Sequence, residues 1–196
     1  MTQRSLVYFV AVSLDGRIAD PDGSFDAFPM DPAYLGALAD EWGDGFPTAF
    51  HDAMGTTAPL TRWDTVLMGR GTFQPALDAG IESPYAHLTQ YVFSSTLRPE
   101  DHPGVHVVDE DPLAFVRRLK ADPGGDLWLC GGGRLAGSLM PEVDRLVLKL
   151  NPVVLGTGVP LVDGPLDASS PSHWRLVASR VHEIGVVVLT YERAAR

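Results

Sequence analysis

Residues 127–140, LWLCGGGRLAGSLM, pass from a strand pattern to a helix pattern across three glycines. Leu127–Cys130 is a short apolar run suited to a buried strand. Gly131, Gly132 and Gly133 follow at once. Leu135, Ala136, Leu139 and Met140 then recur at helical spacing until Pro141 ends the pattern. A turn without Cβ atoms lets backbone N–H groups approach an anion, and the helix N-terminus adds partial positive charge. The other reading is a tight turn that needs positive φ.

The flanking sequence repeats this alternation. Leu6–Ser13 is a buried-strand pattern, turned by Asp15-Gly16, and Asp20-Pro21-Asp22-Gly23 is a second turn signal. Asp31 and Pro32 fit the cap and first position of a helix over Pro32–Trp42, and Thr48 is placed to cap another running to Met54. Strands are expected at Asp64–Met68, Gln90–Phe93, Val105–Val108 and Asp144–Leu150. Asp111-Pro112 opens a helix with Leu113, Val116 and Leu119 on one face. Asn151–Val162 is irregular, and Trp174–His182 with Ile184–Tyr191 reads as a closing hairpin. Strand–helix–strand order predicts an α/β fold with a mostly parallel sheet and helices on its faces.

The bulk numbers bound the function. A chain of 196 residues fits one domain, 1–196, able to bury a core without disulfides or metals. A formal net charge of −10 argues against general binding to nucleic acid or anionic membranes. The single cysteine, Cys130, excludes an intramolecular disulfide and reads as an inert buried thiol. The N-terminus carries no secretory signal pattern and no run reaches the length of a membrane span, so a cytoplasmic protein is expected. The histidines at 51, 87, 102, 106, 173 and 182 show no metal-site spacing, and no metal is expected. Trp63, Trp128 and Trp174 read as core or interface residues.

Ligands of open α/β sheets sit beyond the carboxyl ends of the strands. Three such ends share one chemistry: Gly69-Arg70-Gly71-Thr72, Ser94-Ser95-Thr96 with Arg98, and Gly131–Gly133 with Arg134. Each offers backbone amides, hydroxyls or a guanidinium fork that matches phosphate oxygens. Together they point to a nucleotide-type ligand. The spacing is neither the G-x-G-x-x-G dinucleotide fingerprint nor a P-loop.

VSLDGRIA (12–19), DTVLMGRGTF (64–73), VFSST (92–96), LCGGGRLAGSLM (129–140) and VDRLVLKLNPVVLGTGVPL (143–161) resemble, in order, the dihydrofolate reductase-like superfamily. The nearest branch is the RibD C-terminal domain family, the reductase domain of bacterial riboflavin biosynthesis, and the last block is the most specific. The resemblance implies a three-layer fold with a mostly parallel sheet of about eight strands, flanking helices and a C-terminal β-hairpin. It also implies NADPH as cofactor, a small-molecule substrate and a homodimer. By the same resemblance Val12 and Ile18 flank the nicotinamide, and Asp15-Gly16 lies in a mobile loop over the site, with Asp15 towards the substrate. Gly69, Arg70, Gly71 and Thr72 hold cofactor phosphates. Ser94 and Ser95 line the adenosine end, with Arg98 as partner of a 2′-phosphate. Gly131, Gly132, Gly133, Arg134 and Leu135 bind the pyrophosphate and ribose. Leu155, Gly156, Gly158 and Pro160 wall the substrate pocket.

The chain also departs from the family. The zinc deaminase pattern that accompanies many riboflavin reductases is absent, and the segment from Ala19 to Trp63 matches poorly. That segment should supply substrate contacts and a proton donor. Asp52, beside His51, falls near the place of the substrate-holding acid of dihydrofolate reductases; the alternative is a solvated helix acid. Asp31 competes but reads better as a cap. The leading expectation is an NADPH-dependent reductase acting on a pterin- or aminopyrimidine-like heterocycle, or on a carbonyl or imine. The alternative is a non-catalytic nucleotide- or pterin-binding protein on the same fold.

Overall fold

The computed structural model describes residues 4–53, 60–164 and 171–194. In chain order it contains β1 (Leu6–Val12), β2 (Arg17–Ala19), α1 (Pro32–Trp42), β3 (Trp63–Gly69), α2 (Arg70–Asp78), β4 (Thr89–Phe93) and β5 (His106–Val108). These are followed by α3 (Pro112–Ala121), β6 (Asp126–Gly131), α4 (Gly133–Leu139), β7 (Arg145–Leu150), β8 (Val159–Pro160), β9 (Trp174–Val181) and β10 (Val187–Arg193). Eight strands form one sheet in the order β5-β4-β3-β6-β1-β7-β10-β9. The first six run parallel, while β10 is antiparallel to β7 and β9 antiparallel to β10. The expected mostly parallel sheet and closing hairpin are both present.

The apolar strand runs follow from burial on both faces. On one face Val7, Phe9, Val66, Met68, Trp128 and Val147 pack under Tyr34, Leu38 and Trp42 of α1. On the other, Leu6, Tyr8, Leu67, Leu127 and Leu129 meet Val116 of α3 and Leu135, Ala136 and Leu139 of α4. The ring of Phe9 is hemmed by Trp42, Trp63 and Trp128, with centroids 5.1, 5.4 and 6.2 Å away. Trp63 and Trp128 are thus core residues, whereas Trp174 is only partly covered, by the Arg193 guanidinium.

Two local expectations change. The helix expected over Thr48–Met54 is a single 3-10 turn, Thr48–Phe50, followed by a turn through Ala53; Met54 lies outside the described residues. Phe50 is exposed, so no apolar stripe holds a longer helix against the sheet. The segment read as irregular also contains β8, which pairs with β2 as a second, two-stranded sheet. Among the described residues no helix is long and apolar enough to cross a membrane.

Candidate functional site

The sheet order sets β4, β3, β6 and β1 side by side, so the three phosphate-friendly ends are neighbours. Gly69 closes β3 and is the N-cap of α2. Gly131 closes β6, and Gly132, joined to it by a cis peptide bond, is the N-cap of α4. The two turns nearly touch: a Cβ on Gly69 would lie 3.5 Å from the Gly132 amide nitrogen. The Thr72 hydroxyl is 3.4 Å from a Cβ placed on Gly131 and 3.5 Å from one on Gly132. Ile18 Cδ1 is 4.0 Å from the first. Gly131 has φ of 142°, a conformation few other residues adopt. Gly69, Thr72, Gly131, Gly132 and Ile18, far apart in sequence, therefore form one cradle.

Capping separates this end of the molecule from the rest. Asp31 accepts a hydrogen bond from Tyr34 N at the start of α1, and Asp111 accepts one from Ala114 N at the start of α3. Among the described residues no side chain caps α2 or α4. Their first-turn amides are left to another acceptor, the condition a phosphate meets. Arg70 stands exposed at the first position of α2, and Arg134, in α4, is exposed with only a 3.6 Å approach to Asp163. At the end of β4 the Ser94 hydroxyl accepts from Thr96 N and Leu97 N, both at 3.1 Å, and so shapes its own loop. Ser95 and Arg98 are exposed beside it.

The residues expected to meet the substrate fasten loops together. The Asp15 carboxylate accepts from Ser13 Oγ at 2.6 Å, Gly156 N at 2.7 Å and Leu155 N at 3.1 Å. These bonds, the Ser13 hydroxyl foremost, hold its carboxyl at about 2. A Cβ on Gly158 would come within 2.2 Å of Ala19 O, so only glycine lets β8 lie against β2. Pro160 O would lie 2.2 Å from a Cβ on Gly133, and Asp163 N donates to Gly133 O at 2.9 Å. Leu161 N donates to Gly16 O at 2.9 Å. The segment 155–163 thus ties the 13–17 loop to the glycine turn. Sequence reading missed this role because it depends on pairing between segments about 140 residues apart.

On the face of the sheet that packs under α1, Ala11, Cys130 and Lys149 are half-buried. Asp52, the expected acid, is exposed in the turn after Phe50. Its neighbour His51 packs at 4.5 Å on His87, with Nε2 3.1 Å from Phe46 O. Lys149 was not singled out by the sequence, though its signal was there. In RLVLKL, residues 145–150, it alternates in phase with the core residue Val147.

Comparison with known structures defines the class. A putative riboflavin biosynthesis protein from Shewanella sp. PV-4 superposes with a TM-score of 0.67 at 25% identity, covering 97% of this chain and 99% of that one. Dihydrofolate reductase from Enterococcus faecalis, complexed with NADP(H) and RAB-propyl, superposes with a TM-score of 0.66 at 18% identity, covering 98% of each chain. The fold is dihydrofolate reductase-like. The Bacillus subtilis (strain 168) protein YwjB, itself uncharacterized, is 33% identical over 163 residues, 81% of this chain and 83% of that protein. The RibD C-terminal domain model matches residues 4–188, and the chain belongs to that family.

Proposed function

We propose that the chain is an NADPH-dependent reductase of a small heterocyclic, carbonyl or imine substrate. The observation that carries this reading is the cradle of Gly69, Thr72, Gly131 and Gly132 beside two helices whose first turns no side chain caps among the described residues. The donor set suits a pyrophosphate: backbone amides, a threonine hydroxyl and the Arg70 guanidinium. In this reading Ser94 and Ser95 line the adenosine end, Arg98, exposed beside them, partners a 2′-phosphate, and Val12 and Ile18 flank the nicotinamide. NADPH, when bound, supplies the hydride; the chain orients it, excludes water and holds the substrate against it. Titration calorimetry should show saturable NADPH binding, and Arg70→Ala should weaken it by about tenfold or more, the loss of a charge-assisted phosphate contact. No binding at millimolar NADPH would sink the reading.

One observation favours a second reading, a nucleotide- or pterin-binding protein without turnover. Asp52 is exposed rather than enclosed. An NADPH-oxidation screen over pterins, pyrimidines and carbonyl compounds separates the two, since tight cofactor binding with no turnover would favour the binder. The edge strand β9 exposes Leu176, Val177 and Val181, the last at 75%. We assign this edge to the contact of a homodimer, where a partner would cover an otherwise open strand.

A further inference from the structure

Three adjacent central strands break the packing of the α1 face at nearly one level. Ala11 on β1 is in register with Lys149 on β7. Cys130 on β6 lies one residue beyond the Tyr8–Leu129 pair, beside Phe9. Each of these strands has a hydrogen-bonded neighbour on both sides, so no strand edge is open here. Yet Ala11, Cys130 and Lys149 keep partial access to solvent, while Phe9, Trp128 and Val147 in the same rows are buried. We take this accessible surface as the floor of a groove between the sheet and α1. Two of the three are small, which gives the groove its depth.

Among the described residues the groove holds one cation and nothing to neutralise it. Lys149 Nζ rests 4.0 Å above the centroid of the Phe9 ring. Among the described residues no carboxylate and no hydrogen-bond acceptor pairs with it. The cations buried elsewhere are treated differently. Lys120 Nζ donates to Asp144 at 2.7 Å and to Glu142 O at 3.0 Å, and Arg4 pairs with Asp64. Removal from water pushes the Lys149 amine down to about 8, with the Cys130 thiol opposing the shift. The Tyr85 hydroxyl lies against that thiol, and burial keeps both protonated at neutral pH, so neither is an anion for the amine. A cation enclosed without a counter-charge is costly, and a ligand anion relieves that cost.

The groove adjoins the cradle through single chain steps. Ala11 precedes Val12, and Cys130 precedes Gly131. We propose that the groove is the substrate pocket and that Lys149 selects a ligand with a compact apolar or aromatic body and an anionic oxygen, which pairs with Nζ. This rests on the reductase reading for the word substrate; the anion site itself stands on the groove alone.

Benzoate and benzamide, alike in shape and different in charge, test it through the fluorescence of Trp63 and Trp128. The wild-type protein should bind benzoate about tenfold more tightly than benzamide, and the preference should fall below about twofold in Lys149→Met. Lys149→Gln gives the same readout if the methionine variant does not fold, and Lys149→Arg should keep most of the preference. Equal affinities in the wild type, no saturable benzoate binding up to about 100 mM, or a preference that survives in Lys149→Met would each overturn the proposal. NADPH calorimetry on the same samples keeps the two readings apart. Binding of NADPH without benzoate preference refutes the Lys149 site and spares the reductase; benzoate preference without NADPH binding does the reverse.

Discussion

A lysine kept for a ligand should be a burden to the empty protein, and that burden can be measured. Replacing Lys149 with methionine keeps an unbranched apolar stem over Phe9 and removes the charge. The amine sits at about 8 instead of 10.5, a difference equivalent to about 3 kcal/mol of unfavourable charge burial. Partial access to water lowers this figure. The cation–π contact with Phe9, 4.0 Å from its centroid, returns about 1 kcal/mol that methionine forgoes. Lys149→Met should therefore be more stable than wild type by about 1–2 kcal/mol at pH 7, a rise in Tm of about 2–8 °C for a chain of this length.

The sign with pH follows from proton counts. Below about 8 the amine is charged in both folded and unfolded chains, and the full cost is present. Between about 8 and 10.5 the unfolded chain binds the proton and the folded chain does not, so wild-type stability gains as pH rises. The Cys130 thiol, pushed up to about 11 by burial, and the Tyr85 hydroxyl, pushed up likewise, stay protonated in the folded chain through this window. Their unfolded-state titration is common to both proteins and cancels in the difference. Urea unfolding followed by tryptophan fluorescence should show a gap at pH 7 that closes towards pH 10. Parallel curves, or a methionine variant less stable at both pH values, would refute the reasoning.

Two further outcomes follow from the packing. In Gly137→Ala the new Cβ would lie 2.1 Å from Asp163 O, so α4 or the 160–164 segment must shift, at about 1–3 kcal/mol by urea unfolding; an unchanged midpoint would mean that this segment yields freely. Val181→Lys places a charge on the exposed edge of β9, where light scattering should report monomer if β9 forms the dimer contact and an unchanged mass if it does not.

The strand ends were legible because each joins an apolar run to glycine or serine, and parallel topology gathers such ends along one edge. Gly69 and Gly131 were found this way, and the sheet order then set their turns against each other. Asp31 and Asp111 were legible as caps because a cap is local chemistry. What escaped was non-local. β2 and β8 are three and two residues long, too short for any period, and exist only through each other. Asp15 was read as a loop residue over the site, while its carboxylate binds amides about 140 positions away. Lys149 escaped for another reason: a lysine in a strand is ordinarily the solvated member of an alternating pair. Here β7 lies inside the sheet with β1 and β10 on either side, and the lysine lies over Phe9 on the face that also buries Val147.

The period of two along a strand lets one stretch of chain serve two sites. On β1, Tyr8 and Val10 pack on the α4 side and Phe9 on the α1 side, and strand alternation sets Val12 with the first and Ala11 with the second. On β6, Leu129 faces the first side and Cys130 the second, immediately before the glycine turn. A cofactor in the cradle and a ligand in the groove would thus be separated by one residue of backbone, close enough to react and independent enough to be altered singly. Ala11→Leu tests that separation. Its added carbons fill the floor of the groove beside Lys149 and leave the cradle backbone in place. Benzoate affinity should fall by about tenfold or more, as expected when a pocket loses room for its ligand, while NADPH affinity stays within about twofold of wild type. Loss of both affinities in a variant with an unchanged unfolding midpoint would show that groove and cradle are one site and that β1 does not divide them.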